Sequence, residues 1–122
     1  MSHATYRLTA LFVSALAILS ITVLPSAQAH GPSKVEAVYD GAAKTVTVTI
    51  VHSTSKPTMH YVKQVEIFKN GESISKTDYG SQAGTDGPFS YTYPLDAVKG
   101  DQIEAKATCN IFGSAKGTVT VE

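Results

Sequence analysis

Residues 45–51, Thr-Val-Thr-Val-Thr-Ile-Val, alternate polar and apolar side chains without a break. At a period of two, Val46, Val48 and Ile50 fall on one face of an extended strand and the threonines on the other, whereas a helix would scatter them around its axis. Every side chain in the run is β-branched, which suits a pleated surface and stiffens a helix. A chain built on such a segment has to supply a second layer for the apolar face, and the rest of the sequence offers strands to do it. Asn70-Gly71 closes a β-rich run from Tyr61 to Phe68 and is the preferred dipeptide of a two-residue hairpin. Pro57, Pro88, Pro94 and Gly100-Asp101 break the chain elsewhere. Between these breaks the pattern predicts strands near 34–40, 44–52, 60–69, 72–78, 88–94, 102–109 and 117–122, and no helix. Short strands with a turn signal roughly every ten residues predict an all-β, seven-stranded antiparallel immunoglobulin-like sandwich, with a small barrel as the alternative.

The amino-terminal segment follows different rules. Arg7 precedes an apolar run from Leu8 to Leu24, and Pro25-Ser26-Ala27-Gln28-Ala29 follows it. A positive start, an apolar middle and a small-x-small exit read as a secretory signal peptide over residues 1–29. Pro25 and the Ala27-x-Ala29 site argue against an uncleaved membrane anchor. The expected mature domain is residues 30–122, beginning at His30, with no membrane span and a periplasmic or secreted location. Ten basic residues balance ten acidic ones over the chain, so nothing points to nucleic acid or to a polybasic membrane surface. There is no internal repeat, linker or low-complexity tract.

The single cysteine, Cys109, cannot form an internal disulfide. In an oxidising compartment a lone thiol invites intermolecular pairing or a ligand role. The histidines past the leader are His30, His52 and His60. On the strand map His52 ends the second strand, His60 begins the third and Cys109 ends the sixth. In this kind of sandwich the loops after the second and sixth strands share one end, and the first strand starts there as well. Parity agrees for two of them: His52 continues the face of Val46, Val48 and Ile50, and Cys109 that of Ile103, Ala105 and Ala107. His60 does not share the face of Val65 and Ile67, so a bulge or the loop has to turn it. Imidazole with thiolate suits iron, copper or zinc and not calcium or magnesium. No acidic residue in the loop after the second strand is placed to orient a base, so Ser53 and Ser55 do not make a nucleophile site.

Two of these stretches resemble the iron-binding domain of the desulfoferrodoxin and superoxide reductase family. His52 through His60-Tyr61-Val62 is similar to that family's His-Pro…His-Tyr-Ile segment, and Cys109-Asn110-Ile111-Phe112-Gly113 to its Cys-Asn-x-His-Gly segment. The resemblance spans most of residues 30–122. It implies a mononuclear non-haem iron held by histidines and an axial cysteine, with an open position for superoxide. Carried over by position, His52 and His60 match histidine ligands and Cys109 the thiolate, while Phe112 stands where the family has another histidine. His30 matches the family's earliest histidine by position only, and as a new amino terminus it would offer amine and imidazole together. Eight residues separate His52 from His60, longer than the family's usual spacing, and Thr58-Met59 replaces a Glu-Lys pair. Lys56 is the candidate for a catalytic positive charge near the open site.

The leading expectation is therefore an exported, superoxide-reductase-like iron protein with His30, His52, His60 and Cys109 as ligands. Superoxide or a redox protein would be its partner. A second expectation is a copper module, for which two histidines and a cysteine are the core ligands and Met59 the available axial one. A third is a non-catalytic immunoglobulin-like interaction domain with Cys109 simply buried.

Overall fold

The structure is a computed structural model that describes residues 30–122; the expected leader, its cleavage site and His3 lie outside the described residues. Seven strands form: β1 (Lys34–Asp40), β2 (Thr45–Val51), β3 (Val62–Lys69), β4 (Glu72–Asp78), β5 (Phe89–Pro94), β6 (Gln102–Cys109) and β7 (Ser114–Thr120). All pairings are antiparallel, in a three-stranded sheet ordered β1-β2-β5 and a four-stranded sheet ordered β4-β3-β6-β7. The architecture is the expected immunoglobulin-like sandwich and not the barrel, since no ladder joins the two sheets. No helix among the described residues is long and apolar enough to cross a membrane.

Alternation does what the sequence implied. Val46, Val48 and Ile50 of β2 and Ile103, Ala105 and Ala107 of β6 are wholly buried, facing one another between the sheets with Val65 and Ile67 of β3. Burial of a valine or isoleucine contributes roughly 1.5–3 kcal/mol, so these positions dominate the packing. Outward threonines pair across strands instead, Thr49 Oγ1 with Ser90 Oγ at 2.8 Å and Thr47 Oγ1 with Thr92 Oγ1 at 3.1 Å. The Asn70-Gly71 hairpin has positive φ at both residues, 51° and 83°, the geometry that makes this dipeptide preferred.

One strand starts earlier than its pattern suggested. β7 begins at Ser114, because Gly113, at φ 84°, turns the chain back immediately and Ser114 pairs with Thr108. Gly117 then lies inside the strand, where a Cβ would run into the Val35 carbonyl; the two sheet edges close there backbone to backbone. At the opposite edge, tyrosines do the closing. Tyr79 stacks on Tyr91 with centroids 4.1 Å apart, and its hydroxyl meets that of Tyr93 at 2.6 Å. Burial and the Tyr79 hydroxyl hold Tyr93 far above the usual phenol range.

Candidate metal centre

Strand register brings the chemistry to one end. Lys34 pairs with Val51, so the segment before β1 arrives beside His52, the residue after β2. Val62 pairs with Cys109, and the ladder then slips, with Gln64 opposite Thr108. That irregularity is the device His60 needed: the turn of residues 57–60 hands it to the site, its N–H and that of Met59 both donating to the Lys56 carbonyl.

One ligand atom from each of His52, His60 and Cys109 lies within 4.8 Å of the others. His52 is 1% exposed and Cys109 3%, so both donors sit at the end of the core. The two imidazoles meet edge to face, centroids 4.6 Å apart and planes at 84°. His60 Nε2 is buried and has no hydrogen-bond partner, the only such side-chain atom among the described residues. A buried polar atom left without a partner costs roughly 1–3 kcal/mol, so folds keep one chiefly where a function or a ligand compensates. Burial, followed by the charge of His52, holds the His60 pKa below the usual imidazole value; the nearby His30 carbonyl works against them without closing a bond to Nε2. A neutral imidazole with a free nitrogen is the form that binds metals.

The surroundings orient these donors. His52 Nδ1 lies 2.6 Å from Gln82 Oε1, which also accepts from the Val62 N–H at 3.2 Å. The Gln82 amide nitrogen donates to the His52 and Gly84 carbonyls, at 2.7 and 3.3 Å. With both of its ends committed, Gln82 presents oxygen to Nδ1, so Nδ1 carries the proton and Nε2 is left as the donor atom. Cys109 Sγ accepts the Ile111 N–H at 3.4 Å and lies 3.8 Å from Asn110 Oδ1. Asn110 ties the rim together: its side chain accepts from Tyr61 N–H and donates to the Met59 carbonyl, both at 2.9 Å, and its own N–H donates to the Tyr61 carbonyl.

His52, His60 and Cys109 thus converge as their strand positions implied. His30 arrives at the same end but is exposed, its ring outside the cluster, and what reaches the site is its backbone carbonyl, 2.9 Å from His52 Nε2. Lys56 is exposed and acts there only through its backbone. Met59, the sulfur considered for an axial copper ligand, is 64% exposed, and Phe112 is 67% exposed. Gln82 had no sequence signal. It lies in the glycine-punctuated stretch 79–88, which reads as a mobile loop, yet it is 6% exposed and anchors the middle of that loop.

No family model matches the chain, and no curated protein does. Solved structures similar to it include a superoxide reductase (neelaredoxin) from Ignicoccus hospitalis, with a TM-score of 0.46 and 18% identity over 76% of this chain and 81% of that one. A superoxide reductase from Nanoarchaeum equitans has a TM-score of 0.44 and 16% identity, covering 76% of this chain and 93% of that one.

Proposed function

We propose that this chain is an exported, superoxide-reductase-like protein that holds one iron through His52, His60 and Cys109. The observation that carries the metal reading is the partnerless, buried His60 Nε2 standing in the same cluster as an imidazole nitrogen and a sulfur. Two borderline nitrogens and a soft thiolate favour a transition metal and disfavour the hard cations. The choice of iron rests on the residues themselves: His60-Tyr61 and Cys109-Asn110…Gly113 follow the resembled family's motifs. A bound iron supplies one-electron chemistry, and superoxide or a redox protein is the partner that chemistry would serve.

The chain's own residues divide the remaining work. Gln82 fixes the tautomer of His52, Asn110 holds the His60 turn against the Cys109 loop, and the Ile111 N–H orients the sulfur. His52 and Cys109 sit against the apolar core, which keeps water from the inner side of the site. Copper is the second reading, because the clustered donors among the described residues are two imidazoles and one thiolate, the core of a copper electron-transfer site. Metal content of protein isolated without an affinity tag tests the choice. Iron at one per chain, with superoxide decaying faster over the loaded than the metal-free protein, supports the first reading. Copper, or iron without faster decay, moves the protein to electron transfer.

A further inference from the structure

The His52 imidazole faces an oxygen acceptor at each nitrogen. Gln82 Oε1 is held as an acceptor by the Val62 N–H, and the His30 carbonyl lies 2.9 Å from Nε2. A neutral ring has one N–H, and the shorter contact, 2.6 Å to Gln82, places it on Nδ1. The lone pair of Nε2 and those of the His30 oxygen then point into the same space. A cation placed there meets both. A second proton on the ring would serve His52 alone and leave His60 Nε2 without a partner. A metal ion would satisfy His52 Nε2, the His30 oxygen and His60 Nε2 together with Cys109 Sγ. Donors about 2.0–2.1 Å from one ion lie about 2.8–3.4 Å apart between right-angled and tetrahedral arrangements, and 2.9 Å falls within that range.

We propose that the backbone carbonyl oxygen of His30 is a metal ligand, completing a donor set of two imidazoles, one thiolate and one carbonyl. The inference rests on the reading of His52, His60 and Cys109 as ligands. It supplies the donor that position 112 does not provide, since Phe112 has no coordinating atom and is 67% exposed. The segment that brings the carbonyl is built to reach the site. Gly31 packs on Gly113 so closely that a Cβ on Gly31 would lie 2.9 Å from the Gly113 carbonyl carbon and 3.0 Å from Ser114 N. Backbone meets backbone there, tying the His30 peptide to the loop that carries Cys109. A carbonyl oxygen is a harder and weaker donor than imidazole, and a backbone oxygen on a two-histidine, one-cysteine set is an axial arrangement that copper proteins use. The same oxygen is compatible with iron, so the ligand assignment holds whichever metal is native.

His30-Gly31 is the only His-Gly pair in the sequence, so one peptide bond can be watched alone. Protein labelled with carbonyl-13C histidine and 15N glycine gives a single carbonyl-to-amide correlation, from the His30 carbonyl to the Gly31 nitrogen. Zinc(II), being diamagnetic, is the probe. The expected result is a downfield move of the His30 carbonyl resonance that tracks zinc occupancy and is complete at one ion per chain. His30→Ala keeps the oxygen and loses the ring, and is expected to bind zinc within about threefold of wild type. A carbonyl resonance unmoved at full occupancy overturns the assignment, and so does a tenfold or greater loss of affinity in His30→Ala, which would make the ring the ligand. Failure of the underlying site looks different. There, wild type takes up no zinc, or Cys109→Ser takes it up equally well.

Discussion

The two ends of the sandwich are built from the same parts and differ in one respect. At each end an asparagine just outside a strand clamps β3 to β6. Asn70 accepts from Gln102 N–H and donates to Asp101, while Asn110 accepts from Tyr61 N–H and donates to the Met59 carbonyl. Each end also has a core-edge ring set against backbone: the Tyr39 hydroxyl is bonded to Leu95 and Ala97, and His52 Nε2 lies 2.9 Å from the His30 carbonyl oxygen. At the Tyr39 end every buried side-chain polar atom has a partner, whereas at the His52 end His60 Nε2 does not. Both ends are therefore sealed as structure, and only one keeps an unused donor beside a sulfur. A buried polar atom without a partner calls for an explanation, and the proposed metal supplies one.

Substitutions at matched positions sharpen this contrast. Gln82→Leu should have the largest effect, lowering metal affinity by about 10–100-fold, the usual consequence of removing the group that orients a ligating histidine. Its counterpart Tyr39→Phe leaves the Ala97 N–H and Leu95 carbonyl short of a partner and should cost about 1–2 kcal/mol of stability with no change in metal affinity. Isothermal titration and denaturant melts on the pair measure both quantities; equal loss of affinity in the two variants would erase the distinction between the ends.

The asparagines come next. Asn70→Ala and Asn110→Ala each leave a backbone N–H without its acceptor, and each should lose about 1–2 kcal/mol in a urea melt. Only Asn110→Ala should also weaken metal binding, by several-fold, because Asn110 holds the His60 turn to the Cys109 loop. If Asn70→Ala weakened binding as much, the clamp would be acting through global stability.

The smallest effect is in pH. The pKa of His60 is lowered from 6.5 by burial, so the unfolded chain binds the extra proton first. Stability of the metal-free protein should be intact above 6.5, fall as pH drops below that, and level off beneath the folded value. The pKa of Asp101, at the other end, is lowered from 3.8 by the Val98 N–H and then by Asn70, so its contribution is present above 3.8 and lost at still lower pH. Urea melts across the two windows should show His60→Gln flattening the upper one and Asp101→Asn the lower one; a single shared transition would show that the ends do not titrate separately.

Much of this was legible from residue order. Period-two alternation located the core faces of β2 and β6, and the same parity carried His52 and Cys109 to the end of the core. What alternation cannot express is backbone reaching a site. The slip after Val62 that presents His60 was needed by parity but not located by it. β7 starts three residues ahead of the predicted 117–122 because Gly113 turns the chain at once, and Gly117 serves inside the strand as a gap for the Val35 backbone. Gln82 was invisible because its role depends on a loop folding back thirty residues onto His52. For His30, sequence pointed to a ring and an amine, and the structure brings a carbonyl oxygen, a group every residue has and no motif can mark.

The role proposed for the end bearing His52, His60 and Cys109 is to hold a redox-active metal with sulfur bound to it. The most direct test is to titrate metal-free protein anaerobically with ferrous iron, then oxidise it, and in parallel to titrate with cupric ion, following visible absorption in wild type and Cys109→Ser. The expected result is one ion per chain, an intense sulfur-to-metal band for the native metal, and loss of that band with sharply weakened binding in Cys109→Ser. Absence of stoichiometric binding, or a band and affinity unchanged by removal of the sulfur, would contradict it and leave Cys109 a buried thiol in a structural sandwich.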